Sequence, residues 1–245
     1  MKFSKKITAI FIAVMMVVSA IPFTVFAAPP GSSDIGTGTG GISIGGGSTV
    51  VGGDSYLTFT GTESFSIKTN NNAKNWSGTL EYSTDTNTWT TWNGSSQISS
   101  VNDVLYLRGT GNTQITGSGS SSKYWVITTQ GTVACSGDIR TLLDYNNPEG
   151  SSMGNSCFSY LFRNCTSLTA APALPATVLT YDCYYHMFDG CRSLTTAPEL
   201  PATTLAQECY SYMFYGCKSL TTAPALPATT LISNCYSYML SLIHI

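Results

Sequence analysis

Residues 183–208 read Cys-Tyr-Tyr-His-Met-Phe-Asp-Gly-Cys-Arg-Ser-Leu-Thr-Thr-Ala-Pro-Glu-Leu-Pro-Ala-Thr-Thr-Leu-Ala-Gln-Glu, and variants of this 26-residue phrase begin again at Cys157, Cys209 and Cys235. A fixed period of this length is typical of stacked repeats, in which each unit buries its apolar face against its neighbours. Such a chain offers an extended surface instead of a cleft. The repeat therefore favours a non-catalytic binding protein over an enzyme.

Each repeat contains two different sequence patterns, one after the other. The first is an apolar series at offsets that share one face of a two-turn α-helix, namely Cys183, Tyr184, Met187, Phe188 and Cys191. The second is the β-type segment 194–197, which Pro198 ends because proline has no N–H to continue hydrogen bonding. We therefore expect a leucine-rich-repeat solenoid, with a short strand plus a short helix in each repeat.

The preceding segment has a different pattern, with short alternating runs of β-forming residues. Five strands are predicted, at residues 56–60, 64–68, 79–83, 104–108 and 124–128. Their spacing favours a small antiparallel β-sandwich. The fold class expected for the whole chain is therefore mixed β and α/β, with the sandwich followed by the solenoid.

These patterns divide the chain into six parts. Residues 1–27 have the lysines, apolar run and small residues of a secretory signal peptide, and the apolar run is too short for a transmembrane anchor. The remaining parts are a Gly/Ser/Pro-rich linker, a β-sandwich-like domain, a connecting helix or capping repeat, the leucine-rich repeats and a tail, at residues 28–54, 55–136, 137–156, 157–239 and 240–245. The tail departs from the repeat, and we interpret it as the non-native end of a truncated reading frame.

The charge balance limits the classes of partner. Lys and Arg total 11 and Asp and Glu total 13, which gives a formal net charge of −2. There is no basic stripe, so we expect no nucleic-acid partner. We expect no membrane span in the mature chain. The signal peptide predicts a secreted or cell-surface location.

One phrase carries a family resemblance. The residues 212–221, Tyr-Met-Phe-Tyr-Gly-Cys-Lys-Ser-Leu-Thr, resemble the M-F-x-x-C-x-x-L core of BspA-like bacterial surface leucine-rich repeats. Residues 80–109 resemble the β-module that often precedes such repeats. The resemblance implies an adhesin-like surface protein without catalytic residues. The Ala-Pro-x-Leu-Pro-Ala insert departs from the commoner repeat, so the ligand does not carry over.

The cysteines and the histidine of the repeats could suggest chemistry. Cys183 and His186 lie three residues apart, but a nucleophile also needs an orienting group and an oxyanion site, and the other repeats have tyrosine at the position of His186. A Cys–Cys spacing of eight is not typical of zinc ligands, so we expect no metal site and no cofactor. Two states of the cysteines remain open. We favour columns of buried thiols over disulfides between neighbouring coils, and Cys135 lies out of phase with both columns.

Two features of the β-domain resemble elements of glycan-active proteins. Residues 83–89 resemble a shortened Asp-box turn, a structural hairpin turn. Trp76, Trp89 and Trp92 could form a sugar-stacking platform, although a sandwich core also needs large aromatic residues.

The expected binding surface lies on the repeats. Outward threonines should line the strand face, at Thr169, Thr195, Thr196, Thr221 and Thr222. Ring-bearing residues should line the opposite face, at Tyr160, His186, Tyr212 and Tyr238. The expected partner is a protein or glycan of a host or neighbouring cell. Two alternatives remain open, a carbohydrate-binding accessory part of a larger truncated enzyme and a passive surface structural protein.

Overall fold

The computed structural model describes residues 56–117 and 123–242. The signal peptide, the linker and residues 243–245 of the tail lie outside the described residues. The strands of the described part are β1 Leu57–Gly61, β2 Phe65–Thr69, β3 Thr79–Ser83, β4 Thr90–Trp92, β5 Ile98–Ser99, β6 Val104–Thr110, β7 Trp125–Thr129, β8 Val133–Ser136 and β9 Leu168–Ala170. The five strands predicted from the alternating runs are confirmed as β1, β2, β3, β6 and β7, with ends shifted by two residues at most.

These strands form two sheets. The larger sheet has the order β4-β3-β6-β1-β8-β9 and the smaller one has the order β5-β2-β7. All strand pairs are antiparallel except β8 with β9, which is parallel. The strand β9 belongs to the first repeat, so the larger sheet continues from the β-domain into the repeats.

The hydrophobic core also continues from the β-domain into the repeats. Trp125 of β7 packs edge-on against Phe162 of the first repeat, with ring centroids 5.9 Å apart. Phe59 of β1 lies 6.2 Å from the same phenyl ring. All three side chains are almost fully buried. The sheets therefore cover the end of the first repeat and exclude water from it.

The connecting segment contains one turn of 3-10 helix, Ile139–Leu142, and no longer helix. Asp138 caps it by accepting a hydrogen bond from the Arg140 N–H at 2.8 Å. The Ile139 N–H donates to the Ala173 carbonyl at 3.1 Å, which ties this segment to the first repeat.

The predicted fold class is wrong for the repeats. The described residues contain no α-helix, and the fold is nearly all β with two sheets. Each repeat begins with a chain of tight turns at the residues predicted to be helical. We call residues 156–165, 182–191, 208–217 and 234–241 the turn segments.

Two kinds of backbone hydrogen bond alternate along a turn segment. The N–H groups of Tyr185 and Met187 donate to carbonyls three residues earlier, each at 3.1 Å. The N–H groups between and beside them donate to the next repeat, as His186 does to Ser211 at 3.0 Å and Phe188 does to Met213 at 2.9 Å. Alternation of this kind satisfies the buried backbone without a helix.

A positive φ at every fourth residue excludes the helix directly. In the second repeat these residues are Asp182 (φ 56°), His186 (φ 52°) and Gly190 (φ 75°). The same positions are left-handed in the other turn segments, at Ser156, Tyr160, Asn164, Glu208, Tyr212, Gly216, Asn234 and Tyr238. A right-handed helix cannot pass through such residues.

The sequence pattern could not separate the two structures. Burial in the second turn segment runs in pairs, with two buried residues followed by two half-buried ones, which is a period of four. Over nine residues, periods of four and of 3.6 select the same apolar positions. The helical interpretation therefore fitted every apolar residue and was still incorrect.

The predicted strand of each repeat is also reduced. Only Leu168–Ala170 forms a strand in the repeats, and the second repeat adds two isolated parallel bridges, Ala170 with Thr196 and Val178 with Thr204. Leu194 and Leu220 are buried at the equivalent positions without forming strands. The proline four residues after each leucine has no N–H, and this limits how far a ladder could extend.

Candidate binding surface

A column of stacked rings follows the outer side of the turn segments. The rings of Tyr160 and His186 have centroids 5.0 Å apart and planes 16° apart. His186 and Tyr212 are at 4.4 Å and 5°, and Tyr212 and Tyr238 are at 4.8 Å and 16°. We call these four residues the aromatic ladder. Its spacing is that of the repeats, since each repeat contributes one ring.

Side chains from the same face hold the ladder in place. The Asp189 carboxylate accepts a hydrogen bond from His186 Nδ1 at 2.9 Å and pairs with Arg163 Nε at 3.2 Å. The Arg163 guanidinium lies 5.4 Å from the centre of the Tyr160 ring. Tyr185 contacts His186 edge-on at 4.4 Å. These neighbours restrict the rotation of the inner rings.

The stacking decides what the ladder can offer to a ligand. Each inner ring has a neighbour on both faces, so its exposed part is ring edge. The exposed fraction rises to 59% at Tyr238. Burial, followed by the nearby Tyr185 hydroxyl, raises the pKa of Tyr160, so this phenol stays protonated at neutral pH. The ladder is therefore suited to hydrogen bonding by its edges and not to stacking on its faces.

Two further ring columns lie inside and belong to the core. Phe162, Phe188 and Phe214 stack at 5.5 and 5.7 Å. The other column continues from Phe158 through Tyr184, Tyr210 and Tyr236, with centroids 5.7 to 5.9 Å apart. The hydroxyl groups of these three tyrosines are buried and have no hydrogen-bond partner among the described residues.

The predicted threonine face is less regular than the ladder. The hydroxyl groups of Thr169 and Thr195 donate to the backbone carbonyls of Val133 and Thr169, at 3.3 and 3.4 Å. The exposed members are Thr195, Thr196, Thr221 and Thr222. Since only one strand forms in the repeats, these threonines do not make the ordered hydroxyl array that stacked strands would have produced.

All eight cysteines are buried free thiols, which confirms the buried-thiol prediction. In one column, Cys191 Sγ contacts the Phe162 carbonyl at 3.0 Å and Cys217 Sγ contacts the Phe188 carbonyl at 3.1 Å. Burial raises the pKa of Cys165 to about 12. Cys135 is buried as well, and burial, followed by the influence of the Cys165 thiol, raises its pKa.

Cys183 and His186 do not form a catalytic pair. Cys183 is fully buried in the core, whereas the imidazole of His186 lies in the outer ladder and bonds to Asp189. No group of three potential metal ligands was found in the parts of the chain that the structure describes. In those same parts, no helix has the length and apolarity needed to cross a membrane.

The tryptophan platform considered for the β-domain is not formed. Trp76 and Trp92 are buried and pack against each other at a tilt of 36°, with ring centroids 5.0 Å apart. Trp89 is half-buried, with the Arg108 guanidinium 4.0 Å above its ring. The predicted turn at residues 83–89 is present, and Asp85 Oδ1 accepts hydrogen bonds in it from the N–H groups of Asn87 and Thr88, both at 2.9 Å.

Sequence reasoning found the rings of the ladder but not the groups that orient them. Asp189 and Tyr185 occupy positions where the other repeats have different residues, so the 26-residue recurrence did not identify them as part of the site. Their place in the site depends on the pairing of coils in space.

Comparison of the chain with protein-family models, with curated proteins and with solved structures gave no match.

Proposed function

We propose that this chain is a non-catalytic binding protein, secreted or held at the cell surface, and that it binds a glycan of a host or neighbouring cell by the aromatic ladder. The observation that carries the proposal is the unbroken stack of Tyr160, His186, Tyr212 and Tyr238 on the outer side of the repeats. A rigid row of ring edges suits recognition of a polymer with hydroxyl groups, because ordered groups lose little entropy on binding.

Two features of the sequence support the proposed location. The N-terminal pattern of a signal peptide and the resemblance of residues 212–221 to BspA-like surface repeats both support export. The alternative of a carbohydrate-binding accessory part has less support, since Trp76 and Trp92 are core residues and cannot stack on a sugar. A passive structural role is the outcome that the following experiment separates from binding.

The test removes the hydroxyl groups of the ladder while keeping its rings. The triple variant Y160F/Y212F/Y238F should lose most of its binding to whole cells and to immobilised glycans, because edge hydrogen bonds to the ligand disappear. The matched control is Y184F/Y210F, which removes two hydroxyl groups from the buried column and should bind as the wild type does.

Three other outcomes have clear meanings. Equal binding by the triple variant and the wild type would contradict the ladder as the site. Binding to cells that survives removal of their glycans would assign the partner to protein. Absence of any binding by the wild type would support the passive structural role.

A further inference from the structure

The Ala-Pro-x-Leu-Pro-Ala insert, which the aromatic ladder does not use, builds two similar grooves. The first lies between the first and second repeats, has a volume of about 330 Å³ and is lined by Pro172, Pro175, Pro198, Glu199 and Pro201 together with alanine and leucine. The second lies one repeat further on, has a volume of about 260 Å³ and shares Pro198, Glu199 and Pro201 with the first. Prolines make up half of the residues that line each groove.

The floor of the grooves is fixed by the core. Leu174 and Leu200 lie between the prolines of their own repeats and are buried, with 1% and 3% of their surface exposed. Proline itself restricts the backbone φ to a narrow range. The grooves are therefore formed before any ligand arrives, which lowers the entropic cost of binding.

One charged residue distinguishes this surface. Glu199 lines both grooves, is exposed and forms no ion pair with any described residue. The equivalent positions in the neighbouring repeats are Ala173 and Ala225. Neither groove has a lysine or arginine in its described lining. A positively charged group would meet a carboxylate here and no competing cation.

We propose that these grooves, which we call the proline grooves, bind an extended peptide segment of a partner protein that carries an aromatic residue and, two positions later, a lysine or arginine. The aromatic ring would lie between the proline rings, as aromatic and proline side chains do in the recognition of proline-rich peptides. In an extended chain, residues two apart point to the same side about 6.7 Å from each other, so the basic side chain would face the same grooves, whose lining includes the Glu199 carboxylate.

The experiment uses the labelled peptide Gly-Ser-Phe-Ser-Lys-Ser-Gly and fluorescence anisotropy with the whole secreted chain. Two matched peptides replace Lys by Glu or Phe by Ala, and both should bind more weakly. The variant Glu199→Ala should bind the first peptide about threefold more weakly, as expected for an exposed ion pair. This variant should fold, because alanine already occupies the same position in the adjacent repeats.

Two control variants locate the site. Glu63→Gln removes an exposed carboxylate from the β-domain and should not change peptide binding. The triple variant Y160F/Y212F/Y238F should not change it either, since the proline grooves are separate from the aromatic ladder. The proposal would be overturned if the wild type failed to bind the peptide saturably, if Glu199→Ala bound it equally well, or if the Lys and Glu peptides bound alike.

Discussion

The imidazole ring of His186 lies face to face with the phenol ring of Tyr212, with centroids 4.4 Å apart and planes only 5° from parallel. The two residues are 26 positions apart in sequence and occupy the same place in successive repeats. Their contact follows from the backbone hydrogen bond that joins the His186 N–H to the Ser211 carbonyl. Backbone pairing between turn segments therefore sets the spacing of the aromatic ladder.

The first prediction concerns the buried tyrosine column. Replacing Tyr184 or Tyr210 by Phe should stabilise the protein by about 1 kcal/mol, because a buried hydroxyl without a partner is costly. Phe158 already occupies the equivalent place in the first repeat. Urea unfolding measures the effect, and Tyr212→Phe in the half-buried ladder is the control that should change stability little. A loss of more than 1 kcal/mol in Tyr184→Phe would show that this hydroxyl is hydrogen-bonded.

The second prediction concerns the thiols. Burial raises the pKa of Cys165 and Cys217 to about 12 and that of Cys209 to about 11. At pH 8 a thiol reagent should therefore react only slowly with the native protein. After denaturation it should react readily with most of the eight cysteines. Three or more disulfides found by mass spectrometry after non-reducing digestion would contradict the buried-thiol columns.

The same pKa shifts predict loss of stability in alkali. A thiol whose folded-state pKa is raised contributes stability that is complete below the unfolded pKa, which is about 8.5. This contribution is lost as the pH rises towards 11 to 12. The free energy of unfolding, measured between pH 8 and pH 11, should decrease continuously. A constant free energy of unfolding over that range would contradict burial of the thiols.

The fourth prediction concerns Asp182. Burial, followed by repulsion from Glu208, raises the pKa of this carboxyl to about 6. A raised acid pKa contributes stability that is present below the unfolded value of about 3.9 and is lost as the pH rises through 6. The variant Asp182→Asn should therefore lose less stability between pH 4 and pH 7 than the wild type does. The control Glu63→Gln should follow the wild type, and parallel curves for all three proteins would refute the shift.

Several elements could be derived from sequence because their signals are local. Alternation of apolar and polar residues located β1, β2, β3, β6 and β7, and the 26-residue period placed His186 and Tyr212 in one column. The period also brought the thiols into register. These features depend on which side chains recur and not on the backbone that carries them.

The backbone of the repeats could not be derived in the same way. The left-handed conformations at Tyr160 and Tyr212 are adopted by a residue type that rarely shows a positive φ, so the identity of these residues does not predict them. The hydrogen bonds between turn segments join residues 25 positions apart, and a helical wheel does not represent such pairing. Asp189 and Tyr185 were missed in the site for the same reason, since their roles arise only when the repeats are stacked.

The repeats consist of turns with a left-handed residue at every fourth position, and a substitution at Gly216 separates this backbone from an α-helix. Its φ is +69°, and an added Cβ would have no atom within 4 Å, so Gly216→Ala introduces backbone strain without a clash. Urea unfolding should show that this variant is about 1 kcal/mol less stable than the wild type. In an α-helix the same change would stabilise by about 1 kcal/mol. A gain in stability would therefore contradict the turn segments and the aromatic ladder that they position.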